Sequence, residues 1–194
     1  MSDWDDLQHK AYDDIWAVLD KGARSVVGVG PTGFGKTRLA IMMCQEADRR
    51  GWPWIFYTHR KTLFQQTHKR FEEAALGHGC RASGYESALD RSGQLAMFQT
   101  ESAAIPDSRS KHDARLVIVD EAHCNKTGFA ESVLKEHNAE GAQVVGLTAT
   151  PVGISHLYDE MATFAYNSDL RRVGGIVLAD SFAPSEFDLS DVRR

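Results

Sequence analysis

Apolar residues along this chain recur with two periods, and the alternation of the two is the first clue to its architecture. Between Asp5 and Asp20, Leu7, Ala11, Ile15, Val18 and Leu19 repeat at helical spacing until Gly22, which predicts an amphipathic helix. "RSVVGVG" (24–30) then reads as a short buried strand running into a glycine-rich turn. After the turn, "KTRLAIMMCQEADRR" (36–50) has helical periodicity, with basic residues at its end and Gly51 beyond. The grammar repeats. "WPWIFYT" predicts a strand and "HRKTLFQQTHKRFEEAAL" (59–76) a helix whose inward face carries Leu63, Phe64, Thr67, Phe71, Ala74 and Ala75. Further strands are expected at "CRASG", "QLAMFQT", "ARLVIVD", "AQVVGLT" and "GGIVLA". A helix from about Lys126 to His137 repeats Phe129, Ala130, Val133 and Leu134. Strands alternating with helices imply an α/β fold: a mostly parallel central sheet flanked by helices on both faces.

Composition narrows the class without naming an activity. At 194 residues with 42% hydrophobic content, the chain can bury the core of a single domain, and its polar end, "DSFAPSEFDLSDVRR", reads as a tail or linker. A net charge of −5 argues against coating nucleic acid by bulk electrostatics, so any such contact must be local. No apolar run is long enough to span a bilayer, and the acidic N-terminus lacks signal-peptide order, so a cytoplasmic, reducing setting is expected. Cys44, Cys80 and Cys124 form an odd set without paired metal-ligand spacing, which favours reduced thiols. His78 and Cys80 hint at a metal, but the simpler reading is a polar turn beside a buried thiol. Met42, Met43, Trp52 and Trp54 are read as core and not as a stacking platform for bases.

The chemistry concentrates in three short segments. Gly30, Gly35, Lys36 and Thr37 satisfy G-x-x-x-x-G-K-[ST] between a strand and a helix, the context in which backbone N–H groups can ring a phosphate. The nucleotide-binding set is then Pro31, Thr32, Gly33, Phe34, Gly35, Lys36, Thr37 and Arg38. Lys36 would reach the terminal phosphates, and the Thr37 hydroxyl would ligate Mg2+. "LVIVDEAH" places Asp120 and Glu121 just past an apolar strand, where two adjacent carboxylates call for a cation.

The phosphate loop "GPTGFGKT", then "DEAH" at 120–123, then "TATP" at 148–151, in that order, resemble the first RecA-like motor lobe of superfamily 2 helicases of the DEAD/DEAH type. The resemblance spans Gln8 to about Ala179, so residues 1–179 are expected to form the lobe and 180–194 a linker toward a second lobe. It implies an ATP hydrolase with ATP and Mg2+ as ligands. Asp120 would hold the metal, Glu121 would activate water, and His123, Thr148 and Thr150 would couple the nucleotide site to nucleic acid. Gln8, in "LQHK", would read adenine through paired donor and acceptor atoms. "HRKTLFQQ" and "FQTES" resemble strand-contacting segments, with Arg60, Gln99 and Thr100 as contacts, and the basic "HRK" favours DNA over RNA.

Two departures bear on the expected activity. Phe34 occupies a loop position where relatives often carry a small residue, and no Q-x-x-G-R-x-x-R pattern occurs in the sequence. An arginine finger contributes about a thousandfold or more to hydrolysis, so the lobe alone is expected to be a poor ATPase completed by a second lobe, in a longer protein or in trans. Two alternatives stay open. One is a non-catalytic nucleotide sensor with this fold. The other is a P-loop kinase or unrelated NTPase, which leaves DEAH followed by TATP unexplained.

Overall fold

The computed structural model describes residues 3–100, 112–124 and 128–174. Seven strands form one sheet: β1 (Ser25–Val29), β2 (Trp54–Thr58), β3 (Gly79–Arg81), β4 (Gly93–Met97), β5 (Leu116–Asp120), β6 (Gln143–Thr148) and β7 (Glu160–Thr163). Their order is β3-β4-β2-β5-β6-β1-β7, and every pairing is parallel. The helices that lie wholly among the described residues are α1 (Asp3–Asp20), α2 (Lys36–Arg49), α3 (Lys61–Glu73), α4 (Gly128–Ala139) and α5 (Asn167–Arg172), and residues 98–100 are helical as well. The α/β architecture expected from the sequence is therefore present, with two unexpected elements. β7 is an exposed edge strand and α5 is short, so neither carries a long apolar period.

The period-2 alternation of the strands divides the core between two faces. Val26, Trp54, Phe56, Leu95, Leu116, Ile118 and Leu147 face α1, α2 and α3. Val27, Ile55, Tyr57, Ala96, Val117, Val119 and Val144 face the other way, with Val133 and Leu134 of α4. The tryptophans and Met43 belong to this packing. Trp54 is fully buried and donates its indole N–H to Asp48 at 2.8 Å, and Trp52 meets Trp16 edge-on beneath the Arg50 and Arg115 guanidiniums.

One helix boundary differs from the sequence expectation. α3 stops at Glu73, Ala75 takes a left-handed φ of 53°, and Leu76, not Ala75, turns into the core. The Leu76 and Ala75 amides return to the carbonyls of Phe71 and Glu72, so an apolar anchor after the turn outweighs continued periodicity. The "GGIVLA" strand, the 180–194 tail, most of the "IPDSRSKHD" loop and the side chains of residues 129 and 130 lie outside the described residues.

Phe56 sits at 0% exposure beneath the Phe71 ring, whereas Met161 on β7 is 62% exposed. Phe56→Ala should cost about 3–5 kcal/mol in urea denaturation, and Met161→Ala should stay within about 0.5 kcal/mol of the parent.

Candidate nucleotide and nucleic-acid site

The phosphate loop joins β1 to α2 at the carboxyl edge of the sheet. Gly33 and Gly35 both adopt φ 86°, a conformation that favours glycine. α2 begins without a side-chain cap or an acidic residue in its first turn, and its first intrahelical amide bond shown is Leu39 to the Gly35 carbonyl. The amides of Lys36, Thr37 and Arg38 thus end the helix dipole without intrahelical acceptors. Lys36 Nζ is buried and donates to the Gly30 carbonyl at 3.3 Å.

The loop is held by its own protein as much as it is shaped for a ligand. Phe34 is buried in stacked contact with Phe164, 5.8 Å between centroids, and lies near Trp4, which accounts for a large residue at this position. What Phe34 offers a ligand is therefore backbone. Its N–H reaches Pro31 at 3.1 Å, and its carbonyl accepts from Gln8 Nε2 at 2.9 Å. A β-carbon at Gly35 would sit 2.1 Å from that Gln8 nitrogen, and one at Gly28 would sit 2.0 Å from Phe164, so these glycines admit protein side chains. Gln8 is buried on α1, and its Oε1 has no partner. Arg38 is exposed and paired to Asp5 at 2.6 Å, while Thr37 is half-buried.

β5 delivers the carboxylates to the same edge. Asp120 is 7% exposed, and its carboxyl is pushed up to about 6, first by burial and next by the adjacent Glu121 charge. Lys36 opposes this shift from close by. Glu121 has a left-handed φ of 47°, a strain on the order of 1–3 kcal/mol for a residue with a β-carbon, and its amide donates to Asp120 Oδ1 at 3.0 Å. A buried carboxylate beside a second one, with the Lys36 charge acting on it, is a donor set suited to a hard divalent cation.

A polar chain leads from there across the sheet edge. His123 Nδ1 lies 2.8 Å from Thr148 Oγ1 and 3.4 Å from Glu121 Oε2. Thr148 Oγ1 accepts the Thr150 amide at 3.0 Å. The phosphate loop joins the same strand end, because the Gly30 amide donates to the Thr148 carbonyl at 3.0 Å. An open cleft of about 380 Å³ follows, lined by Thr32, His59, Arg60, Glu121, His123 and Thr150 among others.

Gln99 donates to the His59 carbonyl at 2.9 Å, which ties the segment after β4 to the start of α3 and brings Gln99 beside Arg60. Thr100 follows, half-buried. Sequence reasoning did not single out His59, Leu63, Cys124 or Ala149 as cleft residues. His59 stood next to the chosen Arg60, and its Nδ1 is buried without a partner. Burial first, and Arg60 second, lower its pKa.

Fold and site together define the ATP-binding RecA-like lobe of a superfamily 2 helicase. The chain belongs to the family described as Type III restriction enzyme, res subunit (ResIII), whose model matches residues 2–153. No curated protein sequence matches it significantly. Among solved structures it is similar to the helicase domain of Pyrococcus furiosus Hef, with 18% identity, TM-score 0.61 and coverage of 84% of this chain and 39% of that one. It is also similar to the Type ISP restriction-modification enzyme LlaGI in complex with a DNA substrate mimic, with 14% identity, TM-score 0.70 and coverage of 85% and 20%. The UvsW helicase of bacteriophage T4 matches at 15% identity and TM-score 0.60, with coverage of 72% and 54%. The chain thus spans between about a fifth and about half of these proteins' lengths. Among the described residues no helix is long and apolar enough to cross a membrane.

Because the folded state raises the Asp120 carboxyl from 3.8 to about 6, it binds more protons than the unfolded chain across that window. Stability of the metal-free protein should therefore fall as pH rises from about 4 to about 6, by roughly 2–3 kcal/mol. Asp120→Asn should flatten this dependence and raise the melting temperature at pH 7, checked by thermal denaturation across pH in chelator.

Proposed function

We propose that this chain is the first motor lobe of a DEAH-type, nucleic-acid-dependent ATPase that couples ATP hydrolysis to translocation on, or unwinding of, DNA. The observation that carries the reading is the continuous polar path from Glu121 through His123 and Thr148 to Thr150, which opens into the cleft holding His59 and Arg60. Such a path lets a change at the hydrolytic carboxylate be felt where a strand would lie.

Each residue then has a task. Lys36 and the loop amides bind the β- and γ-phosphates, and Gln8, with its buried unpartnered Oε1, orients toward adenine once the loop is engaged. Pro31, Thr32, Gly33, Phe34 and Gly35 contribute backbone, and Arg38 stands beside them. Thr37 and Asp120 would hold Mg2+, which would supply charge neutralisation at the phosphates. Glu121 orients the attacking water and takes its proton. Asp120 would have to be ionised to hold the metal, and the Lys36 charge favours that form. Phosphoryl transfer needs positioning and charge neutralisation above all, and this set supplies both.

Arg60, Gln99 and Thr100 would contact the sugar-phosphate backbone. DNA is preferred over RNA because the basic "HRK" segment lies at the cleft, and because similar structures were solved with a DNA substrate mimic and, for the Sulfolobus solfataricus SWI2/SNF2 ATPase core, with dsDNA. A second RecA-like lobe would supply the arginine finger.

Magnesium-dependent phosphate release should be slow for the chain alone. It should rise with single-stranded DNA and rise about a thousandfold more with a second lobe. Lys36→Ala should abolish nucleotide binding, and Glu121→Gln should keep binding while turnover drops by about 10²–10⁴. Tight nucleotide binding without turnover under every condition would establish a sensor instead.

A further inference from the structure

Outside the nucleotide site, the fold brings His68 beside His78 and Cys80, the pair that hinted at a metal in the sequence. His68 lies on α3, and His78 and Cys80 lie at the start of edge strand β3. Their ligating atoms are all within 4.8 Å of one another. His68 Nδ1 is 2.8 Å from His78 Nε2 and 3.6 Å from Cys80 Sγ. A tetrahedral zinc-class ion with bonds of about 2.0–2.1 Å to nitrogen and about 2.3 Å to sulfur separates N from S by about 3.6 Å and N from N by about 3.3 Å. The first separation already stands between His68 and Cys80, and the second needs roughly half an ångström of opening between the two rings.

The outer contacts orient the rings for the same purpose. His78 Nδ1 is 2.8 Å from the Leu76 carbonyl, which can only accept, so that nitrogen carries the proton and Nε2 presents a lone pair. In the metal-free protein neutral His68 satisfies that lone pair by donating its Nδ1–H to His78 Nε2 at 2.8 Å. His68 Nε2 faces Glu72 Oε1 at 3.6 Å, one turn along α3, where the carboxylate could accept the Nε2 proton once Nδ1 binds a metal. A metal would take the place of the proton shared between the rings and engage both rings and the thiolate together. Imidazoles backed by a carbonyl and a carboxylate are the usual outer shell of a bound transition metal. Phe64, Phe71 and Tyr85 pack around the rings, which lowers the local dielectric.

We propose that His68, His78 and Cys80 form a binding site for a borderline-soft divalent cation of the zinc class, with water in the fourth position. Bound there, the ion clips the short edge strand β3 to α3. The site is independent of the oxygen-ligated magnesium site, because nitrogen and sulfur donors select a different metal.

The test is titration of the intact, chelator-stripped chain with Co2+, followed by Zn2+ displacement. A saturable thiolate-to-cobalt charge-transfer band at one equivalent is expected, with four-coordinate ligand-field bands that zinc abolishes, and zinc should raise the melting temperature. The band should be absent in Cys80→Ser and His68→Gln, each verified as folded by circular dichroism, and present in Cys124→Ser, which removes the thiol beside His123. Glu72→Gln should keep the band while weakening affinity roughly tenfold. Failure to bind one equivalent, a band surviving both ligand substitutions, or a band lost in Cys124→Ser would each overturn the proposal. None of these readouts depends on ATP turnover, so they are separate from the fate of the motor reading.

Discussion

Parallel pairing sets Val29 of β1 beside Thr148 of β6, and Leu147 of β6 beside Asp120 of β5, and the chemistry of the lobe depends on that register. Three motifs separated by tens of residues come to one edge because three parallel strands end together there. A slip of one residue would turn Asp120 to the opposite face and break the Gly30–Thr148 backbone bond that moors the phosphate loop. What holds the register is apolar. Val26, Ile118, Val145 and Leu147 face one helical layer, and Val27, Val117, Val119 and Val144 face the other. The core therefore positions the site while lending it no functional group.

The site works against the stability that the core provides. Asp120 is desolvated next to a like charge, and Glu121 holds a left-handed backbone that residues with a β-carbon disfavour. Neither feature improves packing. Both make sense if the edge is arranged for a partner of opposite charge, since a cation relieves the first and the turn at Glu121 directs its carboxylate toward His123. The α2 terminus mirrors this arrangement, with amides that receive no side-chain cap. The α2 terminus offers positive dipoles and the end of β5 negative carboxylates, which is the charge pattern a metal-bound nucleoside triphosphate would satisfy.

The strands and helices were legible because burial on both faces, or on one, leaves a period that the sequence displays. The gathering of Lys36, Thr37, Asp120, Glu121, His123, Thr148 and Thr150 at one sheet edge was legible because their motifs are contiguous and sit at strand ends. Phe34 was not. Its meaning depends on Phe164, which lies far along the chain, and on Trp4 in α1, so a loop residue that looked aberrant is a core residue. His59 escaped notice because a charged neighbour drew the argument, while the relevant property, a buried unpartnered nitrogen, exists only after folding. β7 turns only the half-buried Ala162 toward the core, and α3 ends early because Leu76 competes for the core with the helix's own periodicity.

The same limit explains why His68 went unseen beside His78 and Cys80. Ten residues separate the two histidines, and the path between them leaves α3, turns through the left-handed Ala75, and doubles back into β3. The turn that ends the helix is thus what brings the rings together. β3 has only three residues and pairs with β4 alone, so its ladder is short, and an edge strand this brief gains much of its placement from side chains. At the nucleotide edge long parallel ladders fix the geometry and free the side chains for chemistry. At the β3 edge the ladder is too short for that, and side chains that could bind a metal lie where the backbone is weakest.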